Sequence, residues 1–371
     1  MPRFAVLGNY PPTLCGLATF NGSLAVGLEA NGADVSVVRV ADGSPSSDSR
    51  VIGELTKGSP RSIAACAALL SQCDVAIIQH DFGVYGGPDG DEVLDVMRAL
   101  SVPSIVIVHT VPSRPTDQQR SVLEAVVDLA DQVVVPSDAA YQCLCDGFAV
   151  DRTKISTIAH GSRIPRAVSA KRAGRPTILT WGLLGPGKGV ERVIDAMSSL
   201  HELRGQPRYL VAGPTHPDVL AAEGETYREA RVEQARSKGL AASVSLEPAY
   251  RHPTALAAMV QSCAVVVLPY DSTDQVTSGV LVDAIASGRP VVATAFPHAV
   301  ELLGSGAGVV VKHDDPDAMV FALRQILCDP RVAGTMAAEG RRLAPGLAWP
   351  AITKSYVSLA QRIVRDRRVH S

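Results

Sequence analysis

The segment 181–189, WGLLGPGKG, combines residue types at a spacing suited to phosphate. Glycines let the backbone approach a ligand closely, and Lys188 adds a full positive charge. The following pattern, VERVIDAMSSL, predicts a helix whose first turn has free N–H groups and a positive dipole end. A nucleoside-triphosphate P-loop would have Ser or Thr after the lysine to hold magnesium, but Gly189 stands here. The segment is therefore either an ordinary strand-to-helix turn or a phosphate cradle that works without a metal ion.

The segment 269–303 holds a second set of candidate ligand-binding residues. A buried strand and a polar loop precede Thr277, Ser278 and Gly279, which open the predicted helix VLVDAIASG. Backbone N–H groups at that helix start are suited to phosphate or sugar hydroxyls. Gln275 and Asp283 stand eight positions apart, about two turns if both are helical. Asp283 is placed to accept a diol such as a ribose; the alternative is an exposed or salt-bridged helix residue.

The amino-terminal half repeats this arrangement of polar residues after strands. Gly16 and Thr19 lie where the first predicted strand gives way to a helix, which is either a second anion site or a turn made by Thr13 or Gly16. His109 ends the predicted strand 104–109, where α/β sheets place ligands, and His80 precedes Asp81 in a similar position. His109 is interpreted as a polar contact, a proton carrier or a residue hydrogen-bonded under a loop. No His-x-x-x-His or comparable spacing appears, so we expect no metal site.

Alternating short strands and longer helices must position these residues. The first half predicts strands at 3–8, 34–40, 74–79, 104–109, 132–136 and 154–159. The second half predicts strands at 177–182, 208–213, 243–248, 264–270, 290–295 and 308–312. Their uniformly apolar character is typical of parallel sheets covered on both faces. We therefore predict an α/β protein with two Rossmann-like, doubly wound domains facing a central cleft.

Domain boundaries follow from an interruption of this pattern. The polar, basic stretch 163–176 predicts a linker between an amino-terminal domain, 1–162, and a carboxyl-terminal domain, 177–348. The last segment, 349–368, has apolar residues at the spacing of a surface-packed helix, namely Ile352, Tyr356, Leu359 and Ile363.

Composition argues against several classes of function. The net charge of −2 gives no electrostatic reason to expect nucleic-acid binding. The seven cysteines include no Cys-x-x-Cys pair and are typical of reduced thiols in a cytoplasmic protein. No apolar run reaches the ~18 residues that a membrane span needs, and prolines interrupt the start too early for a signal peptide. We expect a cytoplasmic protein with at most peripheral membrane contact.

On these motifs the chain resembles the retaining GT-B glycosyltransferases often called family 4, most strongly over 178–311. The resemblance implies that the carboxyl-terminal domain holds a nucleoside-diphosphate sugar and the amino-terminal domain an acceptor. It implies that the segment 349–368 packs back on the amino-terminal domain. It also implies that a lysine, helix amino termini and backbone amides carry the leaving diphosphate, with no metal or other cofactor. The expected reaction moves a hexose, from a donor of the GDP-mannose or UDP-glucose type, to a carbohydrate or other hydroxyl.

Individual residues match the family pattern to different degrees. Lys188 matches the phosphate lysine of the family's Gly-Arg-x-x-x-x-Lys-Gly motif, but Leu183 replaces the arginine, and Arg251 is a candidate replacement for its charge. Gly16 matches the glycine that approaches the donor phosphates, and His109 matches a histidine that contacts the donor sugar.

The family's Glu-x7-Glu pair falls on Gln275 and Asp283. Asp283 keeps a carboxylate for the ribose, whereas Gln275 cannot act as nucleophile or base. This favours a front-face mechanism, in which the leaving phosphate helps take the acceptor proton. Alternatives on the same fold are a sugar phosphorylase, a nucleotide-sugar epimerase and a non-catalytic nucleotide-sugar-binding protein. The candidate catalytic residues are Lys188, His109 and Gln275. The candidate substrate-binding residues are Gly16, Thr19, Gly187, Arg251, Thr277, Ser278, Gly279 and Asp283.

Overall fold

A computed structural model describes residues 1–164 and 174–370, with side chains up to 367. The chain divides into two compact units, Met1–Gly161 with Leu347–Ser371 and Ser162–Gly346. Most of the predicted linker 163–176 lies outside the described residues, since 165–173 are not among them. Each unit has its own parallel sheet, so the predicted α/β class with two doubly wound halves is confirmed.

The first unit contains a seven-stranded sheet with the order β3-β2-β1-β4-β5-β6-β7. Its strands are β1 (Arg3–Gly8), β2 (Asp34–Val40), β3 (Val51–Leu55), β4 (Val75–His80), β5 (Ser104–Val108), β6 (Gln132–Val135) and β7 (Ile155–Thr157). Its first helices are α1 (Gly16–Ala30), α2 (Pro60–Leu70), α3 (Glu92–Arg98), α4 (Asp117–Leu129) and α5 (Asp138–Gly147). The sequence pattern missed β3, because its side chains alternate between exposed and partly buried at the sheet edge instead of forming an apolar run.

The second unit contains a six-stranded sheet with the order β10-β9-β8-β11-β12-β13. Its strands are β8 (Thr177–Trp181), β9 (Arg208–Ala212), β10 (Val244–Glu247), β11 (Val265–Leu268), β12 (Val291–Thr294) and β13 (Gly308–Val311). Its helices are α6 (Val190–Leu200), α7 (Pro217–Glu223), α8 (Thr226–Ser237), α9 (Pro253–Ser262), α10 (Gly279–Ala286), α11 (Pro297–Leu303), α12 (Pro316–Cys328) and α13 (Pro330–Leu347).

Both sheets reverse their strand order beside their first strand, between β1 and β4 and between β8 and β11. Loops that leave the carboxyl ends of strands at such a reversal form a crevice for ligands. In the second unit these loops are 182–189 and 269–278, which are the two segments with the phosphate-like patterns. In the first unit they are the loop 9–15 and the loop that begins at Asp81. The topology thus explains why the candidate residues lie where they do in the sequence.

The chain ends in α14 (Trp349–His370), which packs on α1 in the first unit. The Asn31 side chain at the end of α1 donates hydrogen bonds to the Pro350 carbonyl, at 2.9 Å, and to the Thr353 hydroxyl, at 2.8 Å. The Phe20 ring meets the Trp349 ring edge-on at a centroid distance of 4.9 Å. Within the described ranges, no helix is long and apolar enough to cross a membrane.

Candidate active site

The loop 182–189 connects β8 to α6 through several glycines in conformations that other residues avoid. Gly182, Gly187 and Gly189 have φ of 122°, 86° and 64°. The Lys188 N–H donates to the Gly185 carbonyl at 3.2 Å, which closes a turn around the lysine. The loop is held to its neighbour because the Asp271 N–H donates to the Gly187 carbonyl at 2.9 Å. These contacts place the backbone of the loop and the first turn of α6 beside the end of β11.

The Lys188 ammonium is half-buried in this loop without a carboxylate partner among the described residues. Its Nζ lies 4.6 Å from the centroid of the Tyr270 ring, which stacks on Phe296 at 5.3 Å. Burial lowers the pKa of Lys188, because the charged form loses solvation. A cation–π contact offsets only part of that loss. An ammonium in this setting is suited to an anionic ligand, which would restore the missing electrostatic stabilisation.

Two carboxylates near the loop are engaged elsewhere. Glu191, in the first turn of α6, accepts a hydrogen bond from the Tyr227 hydroxyl at 2.8 Å and pairs with Arg231 at 3.6 Å. Asp271 pairs with Arg192 at 2.7 Å. The Arg192 guanidinium thereby ties α6 to the loop after β11. The sequence pattern does not indicate this role beyond placing Arg192 four residues after Lys188.

Arg251, the candidate replacement for the arginine missing at Leu183, pairs instead with Glu247 at the end of β10. β10 is the edge strand, separated from β8 by β9. The structure shows no contact between Arg251 and the loop 182–189 within the described residues. A role for Arg251 in phosphate binding therefore stays a prediction.

The second loop is organised around the start of α10. The Ser278 hydroxyl caps this helix by accepting from the Leu281 N–H at 3.3 Å, as the sequence pattern indicated. The Ser278 N–H donates to His298 Nδ1 at 2.8 Å, so that donor is already used within the protein. Because Leu281 and Val282 also donate to Ser278, the N–H groups of Gly279 and Val280 are the first-turn donors left for a ligand. The buried Thr277 hydroxyl has no hydrogen-bond partner among the described residues, and its contact with a ligand stays a prediction.

Gln275 lies in this loop and not on the helix, since α10 begins at Gly279. The spacing of two helical turns, which required both Gln275 and Asp283 to be helical, therefore does not apply. Gln275 Nε2 donates to the Thr277 carbonyl at 3.0 Å, which shapes the loop before the helix. No hydrogen bond to its Oε1 is present among the described residues, so this oxygen is the part of the side chain left for a ligand.

Asp283 is half-buried and accepts a hydrogen bond from the Ser162 hydroxyl at 2.6 Å. Burial raises the pKa of this carboxyl to about 6, although the Ser162 hydroxyl and the Arg163 charge act in the opposite direction. The alternative interpretation, an exposed or salt-bridged helix residue, does not describe this environment. Above pH 6 the carboxylate form prevails and can accept two hydroxyl groups of a diol.

We expect the substitution Asp283→Asn to stabilise the protein and weaken nucleotide binding at once. Because the native carboxyl has a raised pKa, the native state binds more protons than the unfolded chain, and stability falls as pH rises from about 4 to 6. The stability of the asparagine variant should no longer fall over this pH range. Its free energy of unfolding at pH 7.5 should be higher than that of the native protein by on the order of 1 kcal/mol. Its affinity for a nucleoside diphosphate should fall about tenfold, because the charge-assisted hydrogen bonds to the diol are lost.

Thermal unfolding and calorimetric titration at pH 5.0 and 7.5 measure both effects. Asp218→Asn is the matched control, because the side chain of Asp218 is 93% exposed and it belongs to the same unit. Unchanged nucleotide affinity in Asp283→Asn would remove Asp283 from the candidate site.

In the first unit, Gly16 and Thr19 lie in the first turn of α1. Cys15 caps this helix by accepting from the Ala18 N–H at 3.4 Å, and Thr13 takes part in the preceding turn, where its N–H donates to the Tyr10 carbonyl at 3.2 Å. No atom lies within 4 Å of the place that a Gly16 side chain would occupy, so the backbone is open on that side. The Thr19 hydroxyl donates to the Cys15 carbonyl at 3.2 Å. Their contact with a donor phosphate stays a prediction.

His109 follows β5 and is half-buried among other polar and aromatic side chains. Its Nε2 bonds to Gln79 Oε1, and with the Gln79 amide in this orientation Nε2 carries the proton and Nδ1 is left as an acceptor. Phe20 meets the imidazole edge-on at 4.8 Å. Burial, with smaller contributions from His160 and His80, lowers the pKa of His109 to about 3. The imidazole is therefore neutral at physiological pH, which favours a hydrogen-bonding role over a proton carrier.

The neighbouring residues after β4 have their own partners or are buried. Asp81 accepts a hydrogen bond from the Thr110 hydroxyl at 2.6 Å, and burial lowers the pKa of His80 to about 4. Among the described residues, no group of three or more His, Cys, Asp or Glu side chains is arranged to hold a metal ion.

Two family models match the chain. Residues 162–343 match the family described as glycosyl transferases group 1, and residues 15–163 match glycosyltransferase family 4. A curated D-inositol 3-phosphate glycosyltransferase from Kineococcus radiotolerans is 28% identical over 276 residues, covering 66% of this chain and 60% of that protein. One from Corynebacterium urealyticum is 26% identical over 262 residues, with the same coverage. The chain thus spans about 60% of the length of these curated relatives.

Solved structures share the fold at low sequence identity. Sucrose-phosphate synthase from Thermosynechococcus elongatus has a TM-score of 0.74 at 17% identity, covering 99% of this chain and 100% of that one. Anabaena HepE in complex with UDP and glucose has a TM-score of 0.76 at 15% identity, covering 98% and 100%. These similarities extend over both units and concern the fold alone.

Proposed function

Because the chain belongs to the family 4 type of GT-B glycosyltransferases, we propose that it is a retaining, metal-independent hexosyltransferase. It takes a hexose from a nucleoside-diphosphate sugar of the GDP-mannose or UDP-glucose type and transfers it to a hydroxyl acceptor. The observation that carries this proposal is the half-buried Lys188 ammonium, which has no carboxylate partner in the described residues and lies in a glycine loop before a helix. Anabaena HepE, which shares the fold, was solved with UDP and glucose, which agrees with such a donor.

The main task of catalysis in this reaction is to stabilise the negative charge that develops on the leaving diphosphate. The bond from the sugar C1 to the diphosphate oxygen breaks, and the acceptor oxygen bonds to C1 on the same face. The acceptor proton passes to the leaving phosphate oxygen. Lys188 and the first-turn N–H groups of α6 and α10 stabilise the growing negative charge, an electrostatic effect worth several kcal/mol in such sites. Gln275 contributes hydrogen bonding beside the sugar and no covalent bond.

The remaining candidate residues hold the two ends of the donor. Asp283 accepts the ribose hydroxyls of the nucleotide, and its raised pKa restricts this role to pH values above about 6. His109 accepts a sugar hydroxyl through Nδ1. The curated relatives are named for a phosphorylated inositol, which is one instance of a hydroxyl acceptor.

A thermal-shift panel of GDP, UDP, ADP, their common sugars and inorganic phosphate, with and without EDTA, tests the proposal. A ligand at 100 times its dissociation constant adds about 2.7 kcal/mol of stability. We expect one nucleoside diphosphate to raise Tm by several degrees regardless of EDTA. Transfer products analysed by NMR should keep the anomeric configuration of the donor. Stabilisation by phosphate alone would instead support a phosphorylase, and inversion at C1 would contradict the retaining mechanism.

A pair of substitutions at His109 tests the neutral hydrogen-bonding role. His109→Gln retains a neutral acceptor and is expected to keep the transfer rate within about threefold. His109→Ala should lower the rate about tenfold, since one hydrogen bond to the sugar is lost. The pH–rate profile of His109→Gln should match that of the native protein, because the imidazole does not titrate near neutrality. Loss of a titration limb in the glutamine variant would show that His109 transfers a proton.

A further inference from the structure

A pocket of about 320 Å³ lies in the first unit at the outer edge of its sheet, away from β1 and β4. It is formed by β7, the last strand in the sheet order, and by α14. We call it the edge pocket, and its lining residues are Ser156, Thr157, Ile158, Lys354, Ser355, Ser358, Leu359 and Arg362. Nothing in the proposed transfer reaction uses these residues.

The two cations of the edge pocket are spaced to converge on one group. Lys354, Ser358 and Arg362 follow one another at intervals of four residues on α14, so they lie along one face of the helix. The outer two are about 12 Å apart along the axis, with the serine between them. Long lysine and arginine side chains span half of that distance, so both can meet an anion held over Ser358.

No acidic side chain lines the edge pocket, and neither Lys354 nor Arg362 pairs with a carboxylate in the part of the chain that the structure describes. The nearest acid along the helix, Asp366, lies outside the lining. The hydroxyl groups that line the pocket, those of Ser156, Thr157, Ser355 and Ser358, likewise have no side-chain partner there. The pocket therefore presents two positive charges and several free hydroxyls to one concave space.

We propose that the edge pocket binds a small phosphate ester of sugar or polyol size. Arginine and lysine are the side chains that bind phosphate oxygens best, and hydroxyls donate to phosphate or accept from sugar. The volume is at the lower end for small-molecule sites, which suits a hexose phosphate better than a dinucleotide. The ligand would be held by its phosphate between Lys354 and Arg362, with its hydroxyls toward Ser156 and Thr157.

A soluble ester fits this surface better than a lipid head group. A helix that lies on a membrane needs an exposed apolar face beside its cations. On α14 the apolar residues Ile352, Tyr356, Leu359 and Ile363 are buried in the core of the first unit, each at most 9% exposed. The cations therefore stand beside serines, and none of the exposed large hydrophobic side chains of the described residues lies on α14 to enter a bilayer.

Calorimetric titration of the full chain with glucose 6-phosphate, glucose and inorganic phosphate tests the proposal. We expect glucose 6-phosphate to bind more tightly than inorganic phosphate, no binding of glucose, and weaker binding at higher salt. Lys354→Gln and Arg362→Gln should each weaken binding about three- to fivefold, and the double variant at least tenfold. Arg61→Gln with Arg365→Gln is the matched control, since both lie in the same unit, are exposed and are outside the pocket.

Further variants separate this site from the candidate active site. Lys188→Ala should leave glucose 6-phosphate binding unchanged, so the result does not depend on the proposed transferase activity. Loss of binding in Lys188→Ala but not in the double variant would place the ester at the glycine loop and overturn the proposal. Sedimentation with anionic vesicles that depends on Lys354 and Arg362, without any binding of the free ester, would overturn it in favour of a membrane surface.

Discussion

Replacing Lys188 by alanine is expected to lower the rate of sugar transfer by at least about a hundredfold, the effect of removing one preorganised charge from a transition state. The ammonium is half-buried against Tyr270, and no carboxylate of the described chain neutralises it. The free protein therefore has an unfavourable charge at this position, whereas the complex with diphosphate does not. Affinity for the nucleoside diphosphate should fall in parallel with the rate.

The same reasoning predicts that removal of the Lys188 charge does not destabilise the ligand-free protein and can stabilise it. Lys188→Met keeps the apolar stem against the Tyr270 ring and removes the buried ammonium, so Tm without ligand should be unchanged or higher. Lys238→Ala is the control, because Lys238 is an exposed partner of Asp195 in the same unit. Native-like turnover in Lys188→Ala, measured with the donor that the thermal-shift panel identifies, would refute the assigned role.

Donor affinity should also depend on pH through Lys188. Because burial lowers its pKa, the ammonium loses its proton at a lower pH than an exposed lysine. Affinity for the diphosphate should therefore begin to fall at a lower alkaline pH than it would if the site used an exposed lysine. Lys188→Met should remove this dependence on alkaline pH. On the acid side, affinity should fall below about pH 6 as Asp283 takes up its proton.

Local patterns in the sequence were sufficient to predict the two sheets and the glycine-rich turn at 182–189, whose phosphate-binding role stays a prediction. Mostly apolar strands such as β4 and β8 are typical of covered parallel sheets, and both are buried along their whole length. The order of glycines around Lys188 indicated a close backbone approach, and the φ angles in 182–189 agree with that interpretation. The exposed edge strand β3 was missed because it has no such pattern.

Features that depend on distant residues could not be predicted in the same way. The Ser278 N–H appeared free for a ligand, but His298, twenty positions later, accepts its hydrogen bond. Burial raises the pKa of Asp283, and the hydrogen bond that partly offsets this effect comes from Ser162, which stands 121 positions earlier. The edge pocket likewise joins β7 to α14, which lies almost two hundred positions later in the chain. Such contacts are consequences of tertiary packing, which local periodicity does not encode.

Gly189→Ala is expected to destabilise the protein more than any other single substitution in the loop 182–189. A Cβ at this position would lie 1.7 Å from the Pro269 carbonyl oxygen, and φ of 64° is strained for alanine in any case. The left-handed conformation costs about 1–2 kcal/mol, and displacing the carbonyl adds about 1–3 kcal/mol. The displaced segment also contains Tyr270 and Asp271, so the Lys188 contact and the Arg192 ion pair should be lost together.

Gly187→Ala provides the matched comparison, since φ there is 86° but no atom lies within 4 Å of the added Cβ. It should cost only the conformational strain of about 1–2 kcal/mol. Thermal unfolding of the two variants should therefore differ by several degrees, with Gly189→Ala the less stable. Nucleoside-diphosphate binding should survive in Gly187→Ala with reduced affinity and be abolished in Gly189→Ala. Equal losses of stability in the two variants would mean that the Pro269 carbonyl can move at little cost. The loop after β11 would then not hold the loop 182–189 rigidly.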